Sequence, residues 1–97
     1  MVVGCLLLTL TLPENDSLKG KRAVVQRLIE RVRHKFHVAI AEVDTQDDWK
    51  VATIGVTCVS NSAAQTSAAL NKVLAFIEGL NLDAEISDVQ SETVRVF

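Results

Sequence analysis

Apolar and polar residues alternate from Val2 to Leu12, with Leu6, Leu8, Leu10 and Leu12 on one parity and Cys5, Leu7, Thr9 and Thr11 on the other. A period of two predicts a β-strand, and Pro13 with the polar run Glu14-Asn15-Asp16 ends it. Ser17 then reads as the N-cap of a helix running to about Lys35. Along it Val24, Val25, Leu28, Ile29, Val32 and Phe36 recur at helical spacing and form one apolar stripe. Val38 to Asp44 is a second strand, Thr45-Gln46-Asp47-Asp48 a polar turn, and about Trp49 to Ser60 a third strand. Ala52, Ile54, Val56 and Cys58 share one face of that strand, and the two strands read as a hairpin. Ser60-Asn61-Ser62 offers N-caps for a second helix through Gly79. Its stripe is Leu70, Val73, Leu74 and Ile77, preceded by the small residues Ala63, Ala64, Ala68 and Ala69, which permit close packing. Leu82 to Phe97 supplies a fourth strand, whose last few residues either continue it or fray. Leu82, Ala84 and Ile86 alternate but Val89 falls on the other parity, which predicts a bulge near Ser87-Asp88.

The order βαββαβ carries a strong architectural implication. Two right-handed crossovers place both helices on one face of a four-stranded antiparallel sheet, with strand order 4-1-3-2. The expected fold is therefore an α+β ferredoxin-like sandwich, a single domain over residues 1–97. Strands one and three become antiparallel neighbours, which brings Cys5 and Cys58 to the same end of the sheet. Parity puts Cys58 with the core and Cys5 on the open face, so no disulfide is expected between them. That open face carries Val3, Cys5, Leu7 and Thr9 with Val51, Thr53, Thr57 and Val59, too apolar to face water over a large area. A homodimer through this face or along an edge strand is the expectation.

With 48% apolar and 23% charged residues the chain has the balance of an ordinary globule. The apolar N-terminal segment lacks a basic start and a small-residue cleavage site, and it stops far short of the roughly 20 residues of a membrane span. A cytosolic (cytoplasmic) location with free, buried thiols is expected, without membrane association.

Charge changes this picture most. Seven of the ten Lys and Arg residues lie between Ser17 and His37, namely Lys19, Lys21, Arg22, Arg27, Arg31, Arg33 and Lys35, against Glu30 alone. The net +6 of this stretch stands beside a net −8 for the remainder, a polarity that suits an anionic partner. Cations at a helix N-terminus oppose the dipole by about 0.3–1 kcal/mol each, and Gly20 in the first turn costs roughly 1 kcal/mol of helix propensity. Both choices become reasonable if an anion sits there, held by free N–H groups and by Lys or Arg, with the glycine allowing close approach. Ser17, Lys19, Gly20, Lys21, Arg22, Arg27, Arg31 and Arg33 are the candidate anion- or RNA-binding residues. The bland alternative is a solvated surface whose cations pair with Glu14, Asp16 or other acids. On a helical wheel Arg27, Arg31 and His34 flank one side of the stripe, and Arg22 and Arg33 the other. This suits diffuse phosphate contact, and the few aromatic residues give no base-stacking sheet.

No Ser-His-Asp, Cys-His, P-loop or dinucleotide motif is present, so neither catalysis nor a cofactor is expected. His34 and His37 lie three apart but lack a third ligand at a metal-site spacing. Glu42, mid-strand in an apolar segment, is expected to pair with Lys50 across the hairpin or with a cation of the first helix. Trp49 is either a packing lid or an interface anchor.

The pieces Met1-Val2-Val3-Gly4, Leu6-x-Leu8-x-Leu10-x-Leu12-Pro13, Ser17-Leu18-Lys19-x-Lys21-Arg22 and Ala41-Glu42-Val43 resemble a bacterial family. So do Asp47-x-Trp49, Val59-Ser60-Asn61-Ser62 and Glu92. The family is the YlxP-like domain of unknown function 503. The resemblance spans nearly the whole chain and implies a ferredoxin-like fold. Because the family's genes in some bacteria neighbour those of a translation initiation factor and a ribosome-binding factor, it also implies an RNA- or ribosome-related role. It brings no catalytic residues, and its basic element falls on Lys19, Lys21 and Arg22. The leading expectation is a non-enzymatic protein that contacts RNA or ribosomal phosphate through its first helix. The alternative is a dimeric protein-interaction or small-ligand module built on the open sheet face.

Overall fold

A computed structural model describes residues 1–97. The elements are β1 (Val2–Thr11), α1 (Leu18–Lys35), β2 (Ala39–Glu42), β3 (Val51–Ser60), α2 (Ala63–Glu78) and β4 (Glu85–Arg95). Strands lie in the order β2-β3-β1-β4, every pair antiparallel, which is the expected order read from the other edge. The fold is the α+β ferredoxin-like one.

Register follows from side-chain parity, because slipping a strand by one residue would expose its whole buried set. β1 pairs β3 from Val2↔Ser60 to Thr11↔Val51. Leu6, Leu8, Leu10 and Leu12 therefore face the helices beside Ala52, Ile54, Val56 and Cys58. Val24, Val25, Leu28 and Val32 of α1 and Leu70, Val73 and Ile77 of α2 complete the core. Ile29, Phe36 and Leu74 lie at its margin. Between β1 and β4 the register shifts after Thr9, where Thr9↔Asp88 is followed by Leu10↔Ile86, and the Ser87 hydroxyl donates to the Thr9 carbonyl at 3.1 Å. This is the expected bulge. Cys58 is buried and Cys5 exposed on the opposite side of the sheet, as parity requires; both are free, but the expectation of buried thiols holds only for Cys58.

Three details depart from the sequence reading. The hairpin strands are shorter than Val38–Asp44 and Trp49–Ser60, because the Thr45 hydroxyl, not a backbone carbonyl, accepts the Thr53 N–H at 2.8 Å. Asp44 takes a left-handed φ of 65°, and Asp48 Oδ1 accepts the Lys50 and Val51 N–H groups at 2.8 and 3.1 Å. The second departure is close packing of α2, where of the four small residues only Ala69 packs against the core while Ala63, Ala64 and Ala68 face solvent. The small residue sits on the strand instead, since a Cβ on Gly4 would lie 1.9 Å from Thr66 Cγ2. Thr66 is fully buried, with its hydroxyl 2.5 Å from that of Ser60. The third is Lys21, which is wholly buried and belongs to the site described next.

Both helices cover one face of the sheet. On the other, Val3, Leu7, Thr9, Val51, Thr53 and Thr57 are half-buried and Cys5 and Val59 exposed. No helix of the protein is long and apolar enough to cross a membrane.

Candidate functional site

The start of α1 is built by two polar side chains and one glycine. Ser17 caps the helix, its Oγ accepting the Gly20 N–H at 3.0 Å. Asn15 reaches across the turn and donates its amide to the Ser17 carbonyl at 2.7 Å and the Trp49 carbonyl at 2.6 Å. Its Oδ1 occupies the space next to Gly20, where a Cβ would come within 2.3 Å. The glycine is thus required by Asn15, and its open side holds the protein's own amide in place of an external anion.

Lys21 corrects the sequence reading most. Its side chain has no exposure, and its Nζ donates to Glu42 Oε2 at 2.8 Å, to the Thr45 carbonyl and, more weakly, to the Val51 carbonyl at 3.4 Å. The Thr45 hydroxyl donates to the same Glu42 oxygen at 2.8 Å. The ammonium therefore has acceptors for its three protons, and Lys21 is closed to any ligand outside the protein. Of the two partners expected for Glu42, the helix cation is the one found. Lys50 instead donates to the Pro13 carbonyl at 2.9 Å. Lys21–Glu42 is the one ion pair in the protein.

That fact decides how the remaining cations of α1 stand. Lys19, Arg22, Arg27, Arg31, Arg33 and Lys35 are all exposed, and none has a carboxylate partner; Glu14 and Asp16 neutralise none of them. Glu30, the one acid on the helix, is held by the Gln26 amide at 3.2 Å. Arg27, Arg31 and Lys35 follow one another at i, i+4, where like charges oppose the helix by about 0.2–0.5 kcal/mol per pair. With Glu30, His34 and Phe76 they border a shallow depression, and Lys35 Nζ lies 4.9 Å from the Phe76 ring centre. Phe36 meets Phe76 edge-on at 5.4 Å and fixes this end of the helix against α2. Arg22 and Arg33 lie on the opposite flank beside Ile40, Ala41 and Glu42. Arg33 leans over the free edge of β2 and donates to the Ile40 carbonyl at 3.1 Å.

From Lys19 to Lys35 the cationic face runs about 24 Å at 1.5 Å per residue, the length of several phosphates along a nucleic-acid backbone. Its sharpest part is not the Ser17–Arg22 turn, where Ser17, Gly20 and Lys21 are committed internally. It is the Arg27–Arg31–Lys35 ridge, with Arg22 and Arg33 on the opposite flank.

Other expected residues separate. Trp49 is about half exposed. No group of three or more His, Cys, Asp or Glu side chains is placed to hold a metal ion. Burial, and after it the neighbouring Cys5, push the Cys58 thiol above its ordinary value, with a hydrogen bond to Gly4 pulling the other way. Sequence reasoning missed Lys21 as a buried group, although it stands on the apolar stripe, three, four and seven residues before Val24, Val25 and Leu28.

Residues 3–91 match the model of a family described as a protein of unknown function, DUF503. A relative, "Uncharacterized protein YlxP" of Bacillus subtilis (strain 168), is 48% identical over 62 residues, covering 64% of this chain and 67% of the relative. Among solved structures, the apo form of LarC2 is similar at 13% identity with a TM-score of 0.35. LarC2 is the C-terminal domain of a cyclometallase involved in the synthesis of the NPN cofactor of lactate racemase. The likeness covers 97% of this chain and 56% of that one, and it carries no argument about fold or function.

Proposed function

The chain belongs to the DUF503 family, and from that premise we propose that it is a non-enzymatic binding protein that contacts the phosphate backbone of structured or ribosomal RNA through the outer face of α1. One observation carries the reading: every exposed cation of α1 lacks a carboxylate partner, while the sole internal ion pair is made by the buried Lys21. A helix whose charges were only surface solubility would intersperse signs or pair them. Here Lys19, Arg22, Arg27, Arg31 and Lys35 stand on a rigid scaffold with nothing internal to neutralise them. Phosphate neutralisation releases condensed counterions and supplies affinity without reading sequence.

The experiment is equilibrium binding of purified ribosomal subunits and of a structured RNA over a range of salt. Wild type is compared with an Arg22/Arg27/Arg31→Gln variant. The expected result is salt-sensitive binding, with the logarithmic salt slope reduced by about 2–3 in the variant. Absence of salt-sensitive binding, or an unchanged slope, refutes the proposal. Lys21 is not a fair probe, because its loss acts on the fold.

A further inference from the structure

The open sheet face holds a feature that internal packing does not explain. Gly55 lies at the middle of β3, a central strand, where glycine weakens a strand by roughly 0.5–1 kcal/mol relative to Ala. Its φ is not positive, and a Cβ built there would lie 3.5 Å from Val43 Cγ1, an ordinary contact. Nothing inside the molecule requires the glycine, so its bare surface serves something that approaches from outside. Gly55 is part of the floor of a shallow groove of about 620 Å³, whose lining includes Cys5, Leu7, Thr57, Arg33 and Glu92.

We propose that this groove is closed by the same face of a second copy of the chain, in a two-fold sandwich whose axis runs along the strands between β1 and β3. The register makes the face self-complementary about that line. Leu7 and Gly55 are direct cross-strand partners, so the rotation sets Leu7 of each copy over Gly55 of the other. The same operation lays each β4 over its partner's β2. Cys5 pairs Glu92 on one side and Thr57 on the other, and Thr57 pairs Ala39. Glu92 therefore comes to the level of Ala39 in the other copy, beside the Arg33 guanidinium that bends over that margin. A knob meets a hole and a carboxylate meets a cation, each twice, as an isologous interface demands.

Size agrees. With strands of ten, four, ten and eleven residues, each residue covering about 3.3 Å by about 4.8 Å, the footprint is on the order of 550 Å² per copy. Two such faces reach about 1,100 Å², just above the roughly 1,000 Å² that a specific interface should clear. Aligned sheet-on-sheet packing is the geometry such apolar faces adopt. Both α1 helices remain on the outside, so the proposal does not depend on the RNA reading.

The test is analytical ultracentrifugation over a wide concentration range. Wild type is expected to dimerise. Gly55→Val fills the hole in both copies and is expected to raise the dimer Kd by on the order of 100-fold while far-UV circular dichroism stays native. Arg33→Glu and Glu92→Arg are each expected to weaken association, and together to restore it. Alkylation of Cys5 should slow as wild-type concentration rises, and should not in Gly55→Val. A wild type that is monomeric throughout overturns the proposal. So does a dimer untouched by Gly55→Val and by the single charge reversals, the result expected for pairing along an edge strand.

Discussion

Replacing Lys21 by Met keeps the length and apolar body of the side chain and removes only its charge and protons. The loss leaves Glu42, whose side chain is 12% exposed, without its cation, and the Thr45 and Val51 carbonyls without their donor. Removing one member of a buried ion pair costs about 3–5 kcal/mol, because the other charge stays behind uncompensated. Glu42 keeps the Thr45 hydroxyl at 2.8 Å and some access to water, which puts the expected cost near the lower end, about 3 kcal/mol. A chain of this size has a total stability of about 5–15 kcal/mol, so a large share is at stake. Urea unfolding followed by circular dichroism, with a slope of roughly 1 kcal/mol/M, should show the midpoint falling by about 2–3 M. Lys21→Met/Glu42→Leu removes both charges and should recover much of the loss, giving a coupling well above 1 kcal/mol in the double-mutant cycle. A cost under about 1 kcal/mol for Lys21→Met, the level of an exposed ion pair, refutes the reasoning.

Gly4→Ala puts a Cβ 1.9 Å from Thr66 Cγ2 and 2.9 Å from Leu70 Cδ1, and is expected to cost about 1–3 kcal/mol in urea unfolding. Thr66→Ser, which removes the obstructing methyl and keeps the hydroxyl bond to Ser60, should rescue it in part. Gly20→Ala collides with Asn15 Oδ1 at 2.3 Å, so it should lower the melting temperature. That loss should shrink in an Asn15→Gly background, and RNA affinity should stay unchanged once the protein is folded. For Cys58 the folded thiol ionises above the ordinary value of 9.0 that it has unfolded. Its contribution is therefore fully present below about pH 9 and lost as pH rises through the folded value, because the unfolded chain ionises first. Urea titrations from about pH 8 to 10 should show this decline, and Cys58→Val should flatten it.

The architecture was legible because period-two and helical patterns along this chain agree with each other and with the capping residues. Even the bulge announced itself, since Val89 could not share parity with Ile86 across a regular strand. The site was less legible. Lys21 sits in a cationic run, Lys19-x-Lys21-Arg22, and composition alone groups it with its neighbours. The signal was positional: a lysine on the apolar stripe of α1 and a glutamate within an apolar strand are each misplaced alone and account for one another together. Asn15 filling the space at Gly20 left no comparable trace, because an asparagine in a turn before a helix has ordinary local reasons to be there. Exposure of the other α1 cations was readable from the wheel, but their lack of acid partners depends on where the tertiary fold puts every carboxylate.

The Arg33 bond to the Ile40 carbonyl has a consequence for how copies of this chain avoid one another. An edge strand with free backbone groups is a template on which another strand can grow, the first step to aggregation. β2 is four residues long and has one of its carbonyls already occupied by a guanidinium from α1, so it offers little to copy. β4 is longer, but it carries Glu85, Asp88 and Glu92, and pairing it with itself would crowd three carboxylates from each chain onto one seam. Neither edge of the sheet is thus a bare template for lateral strand addition.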